Sequence, residues 1–465
     1  MTDTIAYNPG NLPVYGTYDV VVCGGGPAGI TAALAAGRSG LKTLLVEGQG
    51  QLGGMGTSGL VSHWLGGRSS DCRHWVVGGI FRELAQEAAD RGFALLPEPE
   101  PGKGYSPFGW NKEKGGLLTA GVPFDPFEMA CYLDQKLIGA GVEILFMTQV
   151  VDAATENDSI SHVVIFNKSG LQAVEAPLFI DSTGDADLAY RSGCKTEIGR
   201  TEDRLMTPVT LQVHMDGIDQ DVLSKYINDN DSARFLREIE KMRADGKWPF
   251  IYDRFITVQM TEKGTMMVNT PRIIGVDGSD GASVTKGMIQ GRKEIFELRD
   301  VMRKYFPGCA NARVRAVAPL LGVRETRRIV GDYQLTVQDL AEGKNFPDTI
   351  GFSAYGWDLP DPKKPSYNPS RGDRKRKITP IPYRTLLPKP IKNLIVAGRS
   401  LSVERFVLGP LREQAPCMAM GEAAGVAAGL AKNNRCNFHD VDIAVLQSEL
   451  TIRGALVSYD REWDE

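Results

Sequence analysis

No two of the seven cysteines, Cys23, Cys72, Cys131, Cys194, Cys309, Cys417 and Cys436, form a C-x-x-C pair. The spacing that ligates zinc or an iron–sulfur cluster is therefore missing, and no metal site is expected. An odd, scattered set is also no disulfide framework, and this usage fits a reducing compartment. No run of about 18 apolar residues occurs, so no spanning helix is expected. Residues 1–16 lack a basic stretch ahead of an apolar one, so no secretory signal is read and a cytoplasmic location is the expectation. Charge of one sign is lacking too: 53 Lys and Arg against 57 Asp and Glu leave −4. Such a chain has no general attraction for phosphate backbones, which argues against nucleic acid. Its one dense basic run, Arg371, Arg374, Lys375, Arg376 and Lys377, reads as a solvated loop. No internal repeat of roughly 20–50 residues is present, which excludes a solenoid.

Glycine is what the chain has in excess, 52 of 465 residues. The glycines cluster without a period, which indicates tight turns and close approach of backbone to a ligand. A chain of this length predicts two or three packing units. In the first cluster, residues 18–23 (YDVVVC) read as a buried strand and 30–39 as an Ala-rich helix closed by Gly40. Residues 42–47 (KTLLVE) are a second strand, completing a parallel βαβ unit. Its turn, Gly24-Gly25-Gly26-Pro27-Ala28-Gly29, has the G-x-G-x-x-G form. Gly24 permits the sharp turn, Gly26 lets backbone approach a pyrophosphate, and Gly29 permits close helix–strand packing, continued by Ala33. The amide-rich helix start favours the negative charge of a pyrophosphate. Glu47, about twenty residues on and next to Gly48, is placed to accept bonds from ribose hydroxyls and to repel a 2′-phosphate.

A second glycine-rich segment, Gly53-Gly54-Met55-Gly56-Thr57-Ser58-Gly59, follows closely. A cofactor that extends past its pyrophosphate needs such a stretch, which favours FAD over a nicotinamide dinucleotide. Residues 275–281 (GVDGSDG) are expected to lack both a following helix and an acidic partner, which argues against a second nucleotide site. Near the other end, GPLREQAP leads into MAMGEAAGVAAGLA. Pro416 suits a first helical turn. Met418, Gly421, Ala424, Gly425 and Ala428 form a small-residue face, and the helix start, with Arg412 and Gln414, is expected at the flavin N1/C2=O edge. The plainer alternative is a helix packed on the sheet without a cofactor role.

Between these landmarks, 78–92 and 127–140 read as helices and 97–124 as a long functional loop. Residues 143–148 and 161–167 read as strands around a polar NDS turn. Residues 176–182 form a strand running into Thr183-Gly184-Asp185. Residues 207–215 alternate like a half-exposed strand, 220–245 and 286–305 read as helices, and 254–271 as strands. This block, about 200–375, predicts a mixed antiparallel sheet with helices that covers a substrate. A strand at 393–397 then turns at Gly398-Arg399.

The segments VVVCGGGPAGITAALAAGRSGLKTLLVE, GGMGTSGLV, FIDSTGDADLAYRSG, GVRETRRIVGDYQLT and NLIVAGRSLSVERFVLGPLREQAPCMAMGEAAGVAAG span about 19–430. Together they resemble the FAD-dependent oxidoreductase family typified by fumarate reductase- and heterodisulfide reductase-like flavoproteins, and most of all its bacterial branch. The resemblance implies an α/β, two-dinucleotide-binding-domain (Rossmann-like) FAD fold with a mixed α+β substrate/cap domain. The FAD-binding part takes 18–62, 120–200 and 380–435, and the cap takes 63–119 and 201–379. It implies that Gly24, Gly26, Gly29 and Glu47 take the pyrophosphate and ribose roles, assisted by Gly25, Pro27 and Ala28 of the same turn. Gly53, Gly54 and Met55 would lie along the diphosphate–ribityl stretch, with Gly398-Arg399 near it. Val150 and Val151 would touch the adenosine end, with Thr183, Gly184 and Asp185 close by. The iron–sulfur cysteines of heterodisulfide reductase-type relatives and the GWxWxIP signature of flavin halogenases are absent.

For the chemistry, His63, just after the GGMGTSGLV segment, is a candidate general base. His214 is a second, although either also reads as a packed histidine. Arg324, within the cluster Arg324, Glu325, Arg327 and Arg328, is a candidate clamp for a substrate carboxylate. The alternative is an ion-pair network joining cap to core. Arg405 and Arg412 are candidates to hold an anionic substrate or the reduced flavin. Trp64 and Tyr383 read as packing residues. The expected function is a flavin dehydrogenase or reductase moving a hydride between a small polar metabolite and flavin N5, with an unknown electron donor or acceptor. A flavin monooxygenase using NAD(P)H and O₂ and a non-catalytic flavin-binding protein are the alternatives, and a homo-oligomer is left open.

Overall fold

Five short strands form the parallel sheet on which the rest is built, in the order Leu394–Val396, Leu178–Asp181, Val20–Cys23, Thr43–Val46, Glu143–Leu145. The computed structural model describes residues 10–69, 72–96, 110–111, 116–117, 121–230, 232, 234–367, 377–458 and 460. Most of the 97–124 loop and residues 371–376 of the basic run lie outside them. Register is regular: Val20 pairs with Thr43 and with Leu178, and Phe179 pairs with Leu394. The strands read as continuous apolar runs because both faces are covered. Val20, Val22, Leu45, Ile180 and Ile395 face a helical layer. Val21, Cys23, Leu44, Val46, Phe179 and Val396 face a second sheet. That sheet contains Val14–Thr17, Gly170–Glu175, Ser159–Asn167 and Gln149–Glu156.

Two readings change here. Ahead of the first predicted strand, where no element was expected, Val14–Thr17 adds a parallel edge strand. The polar turn joins Gln149–Glu156 to Ser159–Asn167, whereas Glu143–Leu145 belongs to the parallel sheet. Gln149–Glu156 is largely exposed and polar, so it carries no hydrophobic alternation to betray it. Asn157 and Asp158 both take positive φ, as the tight hairpin requires.

Two helices of the helical layer, Pro27–Arg38 and Gln414–Asn434, run parallel in close contact. A Cβ on Gly421 would sit 2.0 Å from the Ala28 carbonyl oxygen, and one on Gly425 would sit 2.3 Å from that of Ala32. Thr31 Oγ1 donates to the Met418 carbonyl at 2.8 Å across the same contact. The small-residue face therefore packs helix against helix, with the Gln414 helix starting about six residues, roughly 9 Å, ahead of the Pro27 helix along their shared direction.

The segment 209–321 contributes most of a separate hydrophobic cluster under a four-stranded antiparallel sheet. Its order is Thr257–Gln259, Met266–Val268, Val213–Asp216, Arg313–Val317. Helix Gly281–Tyr305 packs there, as do Gln220–Asn230 and Leu236–Ala244, two helices where one was expected. The 275–281 segment does lead into a helix, contrary to expectation, but Asp280 already caps it through the Ser283 amide at 2.7 Å. Residues 206–215 are buried throughout, not half-exposed. Val209, Leu211 and Val213 enter the hydrophobic cluster, while Thr210 and Gln212 line a polar cavity. The alternation separates core from cavity, not core from solvent.

Glu422, 2% exposed, lies within Gln414–Asn434 and accepts the Ile80 amide at 2.9 Å, at the start of helix Gly79–Asp90. Burial pushes its carboxyl up to about 7, although Arg453 and Arg38 pull the other way. An unfolded Glu titrates near ~4.3. The folded chain thus keeps a proton that the unfolded chain releases, and stability falls as pH rises from about 4.5 to 7. Glu422→Gln keeps an acceptor without the ionisation. Its stability relative to the parent should rise by about 2–3 kcal/mol between pH 5 and pH 8 in urea titrations; a pH-independent difference contradicts this. Gly421→Ala should cost about 1–3 kcal/mol through overpacking. Gly139→Ala, with nothing within 4 Å of the new Cβ, should leave the melting temperature nearly unchanged, as calorimetry can check.

Candidate functional site

The phosphate turn begins where Val20–Cys23 ends. Gly24 has φ +99°, and a Cβ there would meet the Ser182 carbonyl oxygen at 2.5 Å. A Cβ on Gly29 would overlap the Gly24 carbonyl oxygen at 1.7 Å. These two glycines are required by the chain itself. Gly26 differs: nothing stands within 4 Å of its Cβ position, which faces open space. Pro27 fills the first helical position, where its missing N–H is no loss. Glu47 is held from two sides, its Oε2 accepting the Gly25 amide at 2.5 Å and its Oε1 the Gln49 amide at 2.6 Å. Burial raises its pKa against these bonds. A carboxylate has about four acceptor sites, so lone pairs remain for hydroxyl donors.

A cavity of about 740 Å³ opens at this turn. Gly24, Gly26, Pro27, Ala28, Glu47 and Gly48 line one end, with Val150. Gly54, Met55, Thr183, Gly184, Asp185, Gly398 and Arg399 line its course. His63, Arg324, Arg412 and Gln414 also line it. Four of the predicted cofactor positions do not. Gly25 and Gly29 build the turn, and Gly53, with φ +98°, donates its amide to the Gly25 carbonyl at 2.9 Å. Val151 follows Val150 in one strand and so faces the other way. Arg399 joins the loops: its Nε donates to the Gly184 carbonyl at 2.6 Å, and its other nitrogens reach Asp185 and the Val323 carbonyl.

The catalytic candidates separate. His63 lines the cavity, but burial holds its imidazole down to about 3, so it is neutral and a weak base. His214 is not among the cavity-lining residues: its Nε2 lies 3.1 Å from the Leu60 carbonyl oxygen, and burial lowers it to about 4. Arg405 is likewise not at the cavity wall; it grips Glu325 with two nitrogens, Nε at 2.9 Å. Glu325 also accepts the Thr207 amide, and Arg327 pairs with Asp187 at 2.9 Å. The ion-pair network is thus real for Arg327 and Arg405, whereas Arg324 turns to the cavity. Trp64 packs between Phe81 and Phe124, and the Tyr383 hydroxyl donates to the Phe438 carbonyl, as packing residues do.

Arg412 donates to Asp358 Oδ2 at 2.7 Å and pairs with Glu413 at 2.9 Å. Burial alone would raise Asp358, but Arg412, Arg272 and Arg324 outweigh it and hold the carboxyl low. Burial raises Glu413 despite Arg412. For Arg324, burial and then the charges of Arg272 and Arg412 pull the guanidinium down to about 9, so it stays charged at neutral pH. Sequence reasoning missed Gln149, Ser182, Gln212, Tyr252, Arg272, Tyr355, Asp358 and Glu413, all of which line the cavity. Only the Thr210/Gln212 alternation signalled any of them; the rest come from loops or strand ends without a motif.

These residues fit an elongated, anionic cofactor. The helix at Pro27 and the helix at Gln414 both direct amide-rich starts toward the cavity. The buried Ser182 Oγ and Gln414 Oε1 have no hydrogen-bond partner among the described residues. No cluster of His, Cys, Asp or Glu able to hold a metal occurs among the described residues, nor any helix long and apolar enough to cross a membrane.

Thiamine thiazole synthase of Methanococcus vannielii is 33% identical over 174 residues, 36% of this chain and 56% of that protein. Digeranylgeranylglycerophospholipid reductase of Thermoplasma acidophilum is 26% identical over 211 residues, 44% and 48% of the two chains. The chain spans about half the length of these curated relatives. A solved geranylgeranyl bacteriochlorophyll reductase-like protein from Thermoplasma acidophilum aligns over 94% of this chain and 84% of its own, at 14% identity and a TM-score of 0.47. The sequence pattern of the FAD dependent oxidoreductases matches residues 19–450, and the chain belongs to that enzyme family, whose cofactor is FAD.

Proposed function

We propose that the cavity holds FAD along its length and presents the flavin to a small polar metabolite under the antiparallel sheet. Gly24, Gly26 and the amides of the Pro27 helix would hold the diphosphate, flanked by Thr183–Asp185 and Gly398-Arg399. Glu47 would hold the adenosine ribose, with Val150 and Gln149 beside it. Met55 and Gln414 would hold the flavin end, where the start of the Gln414 helix favours negative charge. Bound there, FAD supplies a two-electron carrier that takes or gives a hydride.

The chain's own groups then bind, orient and move protons. His63 serves as a neutral hydrogen-bonding group, since protonating it at physiological pH is costly. Glu413 and Tyr355, both at the cavity wall and both shifted upward chiefly by burial, are the groups able to carry a proton. They replace His63 and His214 in that role.

The observation that carries this reading is the open Cβ position of Gly26 at the start of the Pro27 helix, in a cavity that Gln414 at the start of the second helix also lines. It gives a sharp test. Gly26→Ala meets no protein atom, so the variant should fold and melt like the parent. Its methyl group enters the space the diphosphate needs, so FAD affinity should fall at least about tenfold, or about 1.4 kcal/mol. Purified parent should show flavin absorbance and release FAD on denaturation. A Gly26→Ala variant that retains FAD as tightly as the parent refutes the placement. A parent that stays colourless in excess FAD refutes the whole reading.

A further inference from the structure

Resting on that placement of FAD, we propose that the substrate is an organic acid and that Arg272 and Arg324 together form its carboxylate subsite. Of the four other arginines of the cavity wall, Arg399, Arg412 and Arg254 have carboxylates beside them. Arg399 pairs with Asp185, Arg412 with Asp358 and Glu413, and Arg254 lies 3.6 Å from Asp253. Arg272 and Arg324 have none within ion-pairing distance among the described residues. Arg324 donates to the Pro208 carbonyl at 2.6 Å, to Thr210 Oγ1 at 3.0 Å and to Asn269 Oδ1 at 3.2 Å, all neutral acceptors. Arg272 donates to the Pro365 carbonyl at 3.1 Å and stacks 4.4 Å from the centre of the Tyr252 ring. Its Nε is buried with no partner among the described residues. Each residue is only 9% exposed, and both line the same cavity.

Buried charge is retained when something pairs with it. Asp358, whose field Arg272 and Arg324 share, is already bonded to Arg412, so neither arginine has a carboxylate of its own among the described residues. A negatively charged ligand would supply that partner. A carboxylate suits the site because each guanidinium offers a planar fork of donors. The Tyr252 ring fixes the plane of one fork, and Thr210 with Asn269 fixes the other. On the same face as Thr210, Gln212 is 1% exposed, and its Oε1 has no partner among the described residues. It calls for a donor on the ligand, a hydroxyl or amino group near the carboxylate. A neutral sugar, a simple amine or an apolar ring leaves these groups unsatisfied.

The test uses the FAD-loaded enzyme. Lactate and malonate, and their neutral amides, are titrated while the flavin spectrum is recorded, and malonate binding is measured independently by calorimetry. The acids should bind at least tenfold more tightly than the amides. Arg272→Gln and Arg324→Gln should each weaken acid binding at least tenfold while FAD content and melting temperature stay at parent values. If either Gln variant fails to fold, Arg272→Lys and Arg324→Lys keep the charge without the fork, and should bind the acids more weakly than the parent on folded protein. Amides that match the acids, or Gln variants that bind malonate as the parent does, overturn the proposal. So does Arg324→Gln that loses FAD with malonate binding unchanged, since that arginine then serves the cofactor. A parent that takes up no FAD defeats the cofactor placement instead, and calorimetry with malonate still decides the subsite.

Discussion

The close contact between helices Pro27–Arg38 and Gln414–Asn434 is the constraint on which the site depends. Their axes approach until backbone of one touches backbone of the other, with Gly421 against Ala28 and Gly425 against Ala32. Only glycine and alanine allow this. Because the helices run parallel, both positive ends point the same way, and their stagger sets them at two separate places along the cavity wall. The second helix comes from the far end of the chain, so the site exists only when the whole chain has folded around the parallel sheet.

A second consequence concerns how charge is arranged. Glu47, Asp185 and Arg399 are tied into the protein by their own hydrogen bonds and ion pairs. They form fixed walls. Arg272, Arg324 and Gln212 keep unspent bonding capacity inside the cavity. Groups already satisfied define shape, whereas groups left wanting define what is admitted.

The sequence carries a motif for the proposed cofactor end and none for the proposed substrate end, for a physical reason. A strand-to-helix turn open to a diphosphate constrains the backbone, so Gly24 and Gly29, which the turn itself requires, and Gly26 and Glu47, proposed to meet the cofactor, stand at fixed spacing in one contiguous stretch. Substrate recognition imposes only side-chain positions, and Arg272, Asp358 and Glu413 come from three distant segments that folding brings together. The same reasoning accounts for the histidines. His63 and His214 attract notice by chemical type, yet burial removes the basicity for which they were singled out. The arginine cluster at 324–328 contained both readings at once, a cavity residue and a structural network, separated only by the direction in which each side chain leaves the backbone.

The strand carrying Thr210 and Gln212 divides its labour by parity. Its odd-numbered members Val209, Leu211 and Val213 belong to the interior, and its even-numbered members at 210 and 212 face the ligand space. Thr210 is committed to Arg324, whereas Gln212 points its unpaired Oε1 away from the hydrophobic cluster. Position 212 is therefore where descendants of such a chain could alter what the cavity admits while the cluster on the other side of the strand stays as it is.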